Sequence, residues 1–304
     1  MTAPAAATGY RSEAYARSLH HLGHVRPLSG AGGWLLVSGV PGVLAHDGRA
    51  PYPLFLCADW EALASDLASL EGLVSVTMVV DALAPLSRQQ LDEVFDVVRP
   101  FKTHHVVDVS NGALTPSRHH ARKLRAVGHD VEVKVLDDPT MAADDWVRLY
   151  RDLVHRHDVT GFADLPEHSL RDQLAVPGCI AVRATCEDRC MSMALWYRHD
   201  DAAHFHLGAS DHEGYATGAA YAVMAASLEH LASTPVQVVD LGGVAGAVDD
   251  PANGLARFKG GWASDTATAH LCGAILDPDT FYALRTKHAP QGTTYFPPYR
   301  AVGR

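Results

Sequence analysis

Cysteine is scarce in this chain. The five residues Cys57, Cys179, Cys186, Cys190 and Cys272, among 304, form an odd set without the paired spacing of a disulfide framework. That excludes a disulfide-stapled scaffold and fits a reducing compartment. Long apolar runs are also missing. The most apolar stretch, residues 32–45, is broken by Ser38, Pro41 and four glycines, whereas a membrane span needs about 20 apolar residues in a row. No basic segment followed by an apolar run lies between Met1 and Arg11, so no secretory signal is expected and the reading is of a cytoplasmic protein. Positive charge is in deficit. Lys and Arg number 25 against 35 Asp and Glu, a formal net charge of −10, which excludes attraction of the whole surface to nucleic acid or an anionic membrane. Any polyanion site has to be local. No Gly-x-Ser-x-Gly turn is present, which argues against a Ser-His-Asp hydrolase of that type. Cys179, Cys186 and Cys190 with His199 lack the tight knuckles of structural zinc, so no metal is expected.

What is present is ordinary globular composition, 47% hydrophobic and 20% charged. Short apolar runs bounded by Gly and Pro predict strands at 34–40, 54–57, 74–80, 104–109 and 131–136. Helical spacing predicts helices near 13–22, 59–70, 87–98 and 115–127. Asp137-Asp138-Pro139 predicts a boundary, and with it domains 1–138 and 139–304. The second half reads as helices 141–157 and 167–174, strands 179–185, 191–197 and 203–209, and one long helix over 214–231. A strand at 236–241, a glycine-rich loop, a strand at 267–276 and a helix at 279–287 complete it. The fold class is α+β (mixed α/β).

The most informative stretch is Gly254-Leu255-Ala256-Arg257-Phe258-Lys259-Gly260-Gly261-Trp262. Two cations surround an aromatic residue in a glycine-flanked segment that follows a strand end, where open sheets commonly bind ligands. A Lys there can hold a phosphate or an oxyanion. The same residues also read as a surface Arg and Lys around a buried Phe. A second stretch supplies the local positive charge. Between Arg99 and Lys134 stand seven Lys or Arg and three acids, and Arg118, Arg122 and Arg125 share one helix face. A solvated helix face is the competing reading.

These two blocks, with Asp240-Leu241-Gly242-Gly243-Val244 before the first and Phe101-Lys102-Thr103-His104-His105-Val106-Val107-Asp108-Val109 opening the second, resemble the FemABX peptidyltransferases. The resemblance implies tandem GNAT-like domains, each a mixed, mostly antiparallel twisted sheet flanked by helices. It implies transfer of an aminoacyl group from aminoacyl-tRNA to an amine, forming an amide. By position Phe258 would stack on a base at the tRNA end and Lys259 would stabilise the oxyanion. The chain is shorter than typical members and shows no coiled-coil arm, so the acceptor is left open as a small molecule, peptide or cell-wall precursor.

The expected catalytic set is therefore Lys259, Phe258 and Asp240, with Arg257, Tyr215, His206, Arg118, Arg122 and Arg125 binding substrate. A general base is sought among Asp240, His204 and His206, and the substrate carrying its own proton is the alternative. Tyr215 to Ala220 resembles the acyl-CoA-binding turn of GNAT enzymes, with Gly214, Gly218 and Ala219 at a helix start, although Tyr stands where Gln or Arg belongs. It reads equally as packing for a buried helix. No tightly bound cofactor is expected. The expected partners are aminoacyl-tRNA and an amine-bearing acceptor, with no integral membrane association. Two alternatives stay open, an acyl-CoA-dependent N-acyltransferase on the same fold and a non-catalytic RNA- or ligand-binding module.

Overall fold

The computed structural model describes residues 7–112, 115–244 and 253–301. Packing sorts them into two units that interleave along the chain. One, nearly contiguous, comprises residues 102–267 and 7–9; the other is split between 10–101 and 268–301. The boundary expected at 138/139 falls inside the contiguous unit, because strands on its two sides pair with each other.

In chain order the split unit begins with α1 (Glu13–Ser18), β1 (His24–Leu28), β2 (Gly33–Gly39) and β3 (His46–Arg49). It continues with α2 (Leu63–Ala68), β4 (Ser75–Val80) and α3 (Arg88–Val94). β5 (Val97–Asp108) takes the chain into the contiguous unit, where α4 (Arg118–Arg125), β6 (Glu132–Val135), α5 (Ala143–His157) and α6 (Glu167–Leu174) follow. Next come β7 (Cys179–Cys186), β8 (Arg189–His199), β9 (Ala202–Ser210), α7 (His212–Thr217), α8 (Ala219–Ala232), β10 (Val238–Asp240) and α9 (Gly254–Gly260). β11 (Asp265–Ile275) returns the chain to the split unit, which ends with α10 (Pro278–His288).

Strand pairing follows a similar pattern in the two units. In the contiguous unit the strand order is β5-β10-β9-β8-β7-β6, antiparallel throughout except for the parallel pair β9/β10. In the split unit β1-β2-β3-β4 is antiparallel except for β3/β4, and β11 lies antiparallel on β4. Alternation explains the burial: Val76, Met78 and Val80 of β4 point into a core with Leu35, Phe55 and Leu63. Each such side chain contributes about 1.5–3 kcal/mol by leaving water. In the contiguous unit the mostly apolar α8 buries Val223, Met224, Leu228 and Leu231 against Trp196 and Val239.

Four expectations need correcting. The strand predicted at 54–57 is only an isolated bridge between Phe55 and Val80. β3 was not expected, since His46-Asp47-Gly48-Arg49 has no apolar alternation; its Asp47 is buried because Tyr299, Ser75 and Arg300 all bond to it. The helix predicted to run to residue 98 stops at Val94, and a strand starts at Val97. The long helix predicted over 214–231 is two, broken where Gly218 takes a left-handed φ of 74°. The expected glycine-rich loop lies partly outside the described residues.

Candidate functional site

Period-two alternation in β5 puts Lys102, His104 and Val106 on one face of the sheet. Asp240 of β10 pairs with Val106 on one side and with His204 of β9 on the other, so its carboxylate shares that face with both histidines. His104 Nδ1 lies 2.7 Å from Asp240 Oδ2, and His204 Nε2 lies 3.8 Å from the same oxygen. Asp240 Oδ1 accepts the Gly242 N–H at 2.6 Å. All three side chains are buried.

Lys259 approaches the same turn from α9. Its Nζ donates to the Gly243 carbonyl at 2.6 Å and stands 5.5 Å from the centre of the Phe205 ring. The glycines make this approach possible. Gly242 has a left-handed φ of 74°, and a Cβ on it would meet Lys259 Nζ at 3.2 Å; a Cβ on Gly243 would come within 3.1 Å of Lys102 Cβ. Two lysines, two histidines and one carboxylate thus converge on one glycine turn at a strand end.

Their electrostatics follow from burial and neighbours. Desolvation, reinforced by Lys102 and opposed by Asp240, brings the Lys259 ammonium down to about 8. Burial disfavours the Asp240 charge, but His104, His204 and the Gly242 N–H outweigh it and hold the carboxyl below its usual range. A cation and a fixed anion are therefore both present near neutral pH.

Phe258, next to Lys259 on the short helix, faces a different neighbourhood. It is half-buried among His120, Tyr221 and Trp262, with ring centroids 5.9, 5.1 and 6.4 Å away. His120 ties α4 to α9: its Nε2 bonds the Phe258 carbonyl at 2.8 Å, and its Nδ1 lies 2.8 Å from Ser117 Oγ. A Cβ on Gly261 would fall inside the His120 ring. The other face of α4 is open. Arg118, Arg122 and Arg125 are exposed and, among the described residues, pair with no carboxylate. Arg257 is exposed too.

Several expected residues lie elsewhere. Tyr215 is half exposed, with the Arg156 guanidinium 4.6 Å above its ring and His157 within 3.5 Å of its hydroxyl. It shares no described contact with Asp240. His206 occupies the extra position where β8 and β9 shift register; its Nε2 meets Gln173 Oε1 at 3.0 Å. Burial pushes its ring down to about 3, so it is a poor proton acceptor at neutral pH. The Gly214 N–H is already taken by Asp211 Oδ1 at 2.8 Å, and its missing side chain leaves room for the Met191 carbonyl. Gly218 and Ala219 instead open α8, where no side chain caps the helix.

Lys102, His104, Phe205, His120 and Tyr221 were not singled out from sequence. The signal for the first two was available: Lys-x-His-x-Val is a period-two pattern with polar groups on the inward face. A separate cleft of about 750 Å³ in the split unit, lined by Arg99, Phe281, Tyr282, Arg285 and Tyr295 among others, holds none of the expected residues.

Residues 116–259, just under half of the chain, match the family model of an acetyltransferase (GNAT) domain. The structure superposes on that of FemX with a TM-score of 0.66 at 13% identity, covering 92% of this chain and 95% of that one. This is a FemABX-like GNAT fold. The C-terminal domain of a lysylphosphatidylglycerol synthetase from Agrobacterium fabrum is similar at a TM-score of 0.59 and 10% identity, over 88% of this chain and 89% of its own. L-PGS from Bacillus licheniformis follows at 0.57 and 11%, over 94% and 98%. No curated protein matches in sequence. Among the described residues of this GNAT-fold chain, no helix is long and apolar enough to cross a membrane.

Proposed function

We propose that this GNAT-fold protein is an acyltransferase that forms an amide, moving an aminoacyl group from aminoacyl-tRNA to an amine on a small molecule, peptide or cell-wall precursor. The observation that carries the reading is the buried Lys259 ammonium, held at the Gly242-Gly243 turn beside the Asp240–His104 pair. Attack of an amine on an ester passes through a tetrahedral oxyanion. A pre-positioned donor in a water-poor site lowers that barrier by about 3 kcal/mol. The open cationic face of α4 supports a polyanionic donor, and its anchor His120 supports Phe258 as the aromatic contact for a base, a stacking interaction worth about 1–3 kcal/mol. The names of the lysylphosphatidylglycerol synthetases add a phospholipid headgroup to the acceptors to assay.

The test is mass spectrometry of reactions containing total charged tRNA and a panel of amines. Aminoacylated amine is expected, and ribonuclease treatment of the donor should abolish it. Lys259→Met, which keeps the side-chain volume without the charge, should lower turnover at least about tenfold while the protein still melts cooperatively. An unchanged rate overturns the role given to Lys259.

The second reading, an acyl-CoA donor, is favoured by one feature. α8 begins after a left-handed Gly218 with no side-chain cap, which leaves backbone N–H groups and the positive end of a 14-residue helix for a pyrophosphate. Product that survives ribonuclease and requires acyl-CoA selects it. Binding of RNA without transfer from either donor selects a non-catalytic module.

A further inference from the structure

The buried cluster contains a proton acceptor that the oxyanion argument leaves unused. His104 presents Nδ1 to Asp240 Oδ2 at 2.7 Å. Among the described residues its other ring nitrogen, Nε2, makes no hydrogen bond. A carboxylate on Nδ1 fixes the tautomer with the proton there and leaves the lone pair on Nε2, which is the logic of a carboxylate-oriented histidine base. Asp240 is badly placed to be the base itself, since Oδ2 faces His104 and Oδ1 accepts the Gly242 N–H.

We infer that His104 is the general base of the transfer and that Asp240 is the positioning residue that holds its ring; the assignment rests on the acyl-transfer reading above. The amine nitrogen attacks the acyl carbonyl carbon and the C–N bond forms. The carbonyl π pair moves to oxygen, opposite the Lys259 ammonium. His104 Nε2 takes one proton from the attacking nitrogen. The bond from the acyl carbon to the donor then breaks, and the departing atom takes that proton back from His104. The charged or titratable groups facing the ring are Lys102 on its own strand, Asp240 from β10, His204 from β9 and Lys259 from α9.

The test uses the full chain with total charged tRNA and, separately, acetyl-CoA as donors. Two acceptor probes are compared: glycinamide, an ordinary amine, and hydroxylamine, a nucleophile that is already unprotonated at neutral pH and attacks without help. His104→Asn keeps an amide N–H to face Asp240 but has no Nε2. It is expected to lower transfer to glycinamide about a hundredfold or more, a typical general-base contribution, and transfer to hydroxylamine less than tenfold. Asp240→Asn should show the same acceptor-dependent pattern and supplies the comparison if His104→Asn does not melt cooperatively. Equal losses with both acceptors in a folded variant, or no loss with either, overturn the assignment while leaving acyl transfer standing. No transfer by the unaltered protein from either donor overturns the functional reading and this inference with it.

Discussion

At the residue scale the proposed transfer turns on Lys259. Its ammonium loses its proton at about 8 instead of in the usual lysine range, so the cation is present at pH 7 and fades above pH 8. The pH profile of kcat/KM should therefore show a falling limb near pH 8, approaching tenfold per pH unit beyond it, and that limb should be missing in Lys259→Met. Asp240 stays ionised throughout this range because its folded pKa is depressed, so it adds no limb of its own near neutrality. Sequence alone made Asp240 and Lys259 readable, since an acid at a strand end and a lysine between glycines are chemistry-bearing in isolation. It did not reveal Lys102 and His104. A polar pair inside a strand reads as a solvent face until the neighbouring strands are known, and here the opposing carboxylate is 136 residues away.

Between elements, α4 and α9 are tied by His120 and by the Ser117 N–H, which donates to the Gly261 carbonyl at 2.8 Å. Gly261→Ala would place a methyl group in the His120 ring, an overpacking that should cost roughly 1–3 kcal/mol in urea unfolding. Transfer should fall with it, because Phe258 and Lys259 ride on α9. Replacing Arg118, Arg122 and Arg125 with Gln should do the opposite: stability stays within about 0.5 kcal/mol, as for exposed sites, while tRNA binding weakens and the slope of log K against log salt shrinks by up to about 3. Binding titrations at several salt concentrations check this. Periodicity made the helices legible, α5 and α6 among them, but it could not show the break at Gly218. An Ala-rich run that holds Gly214 and Gly218 looks continuous unless the φ of Gly218 is known. β3 was illegible for the converse reason: its buried Asp47 is stabilised by Tyr299 and Arg300, which lie some 250 residues downstream.

For the molecule as a whole, a net charge of −10 coexists with the cationic face of α4. The aromatic end of the sequence turns out to be core. Phe296 and Tyr299 pack on Phe281, and Arg300 Nε meets Asp47 Oδ2 at 2.6 Å. Truncation after Pro290 should therefore destabilise the split unit strongly, by 3 kcal/mol or more through lost aromatic burial and an unpaired buried carboxylate. Limited proteolysis should then cut within residues 10–101 under conditions where the full chain resists. The strands and helices of the second half could be read in order, yet the interleaved units could not, since no local signal tells a strand which distant partner it will have.

The interleaving also sets an order of events at the ribosome. Residues 10–101 emerge first but need 268–301 to place β11 on β4 and to bury Asp47, whereas residues 102–267 emerge as one continuous stretch. The later-made unit can thus mature while the earlier-made one waits with β4 unpaired on the side that β11 will fill. A waiting strand edge of that kind invites chaperone capture or self-association during synthesis.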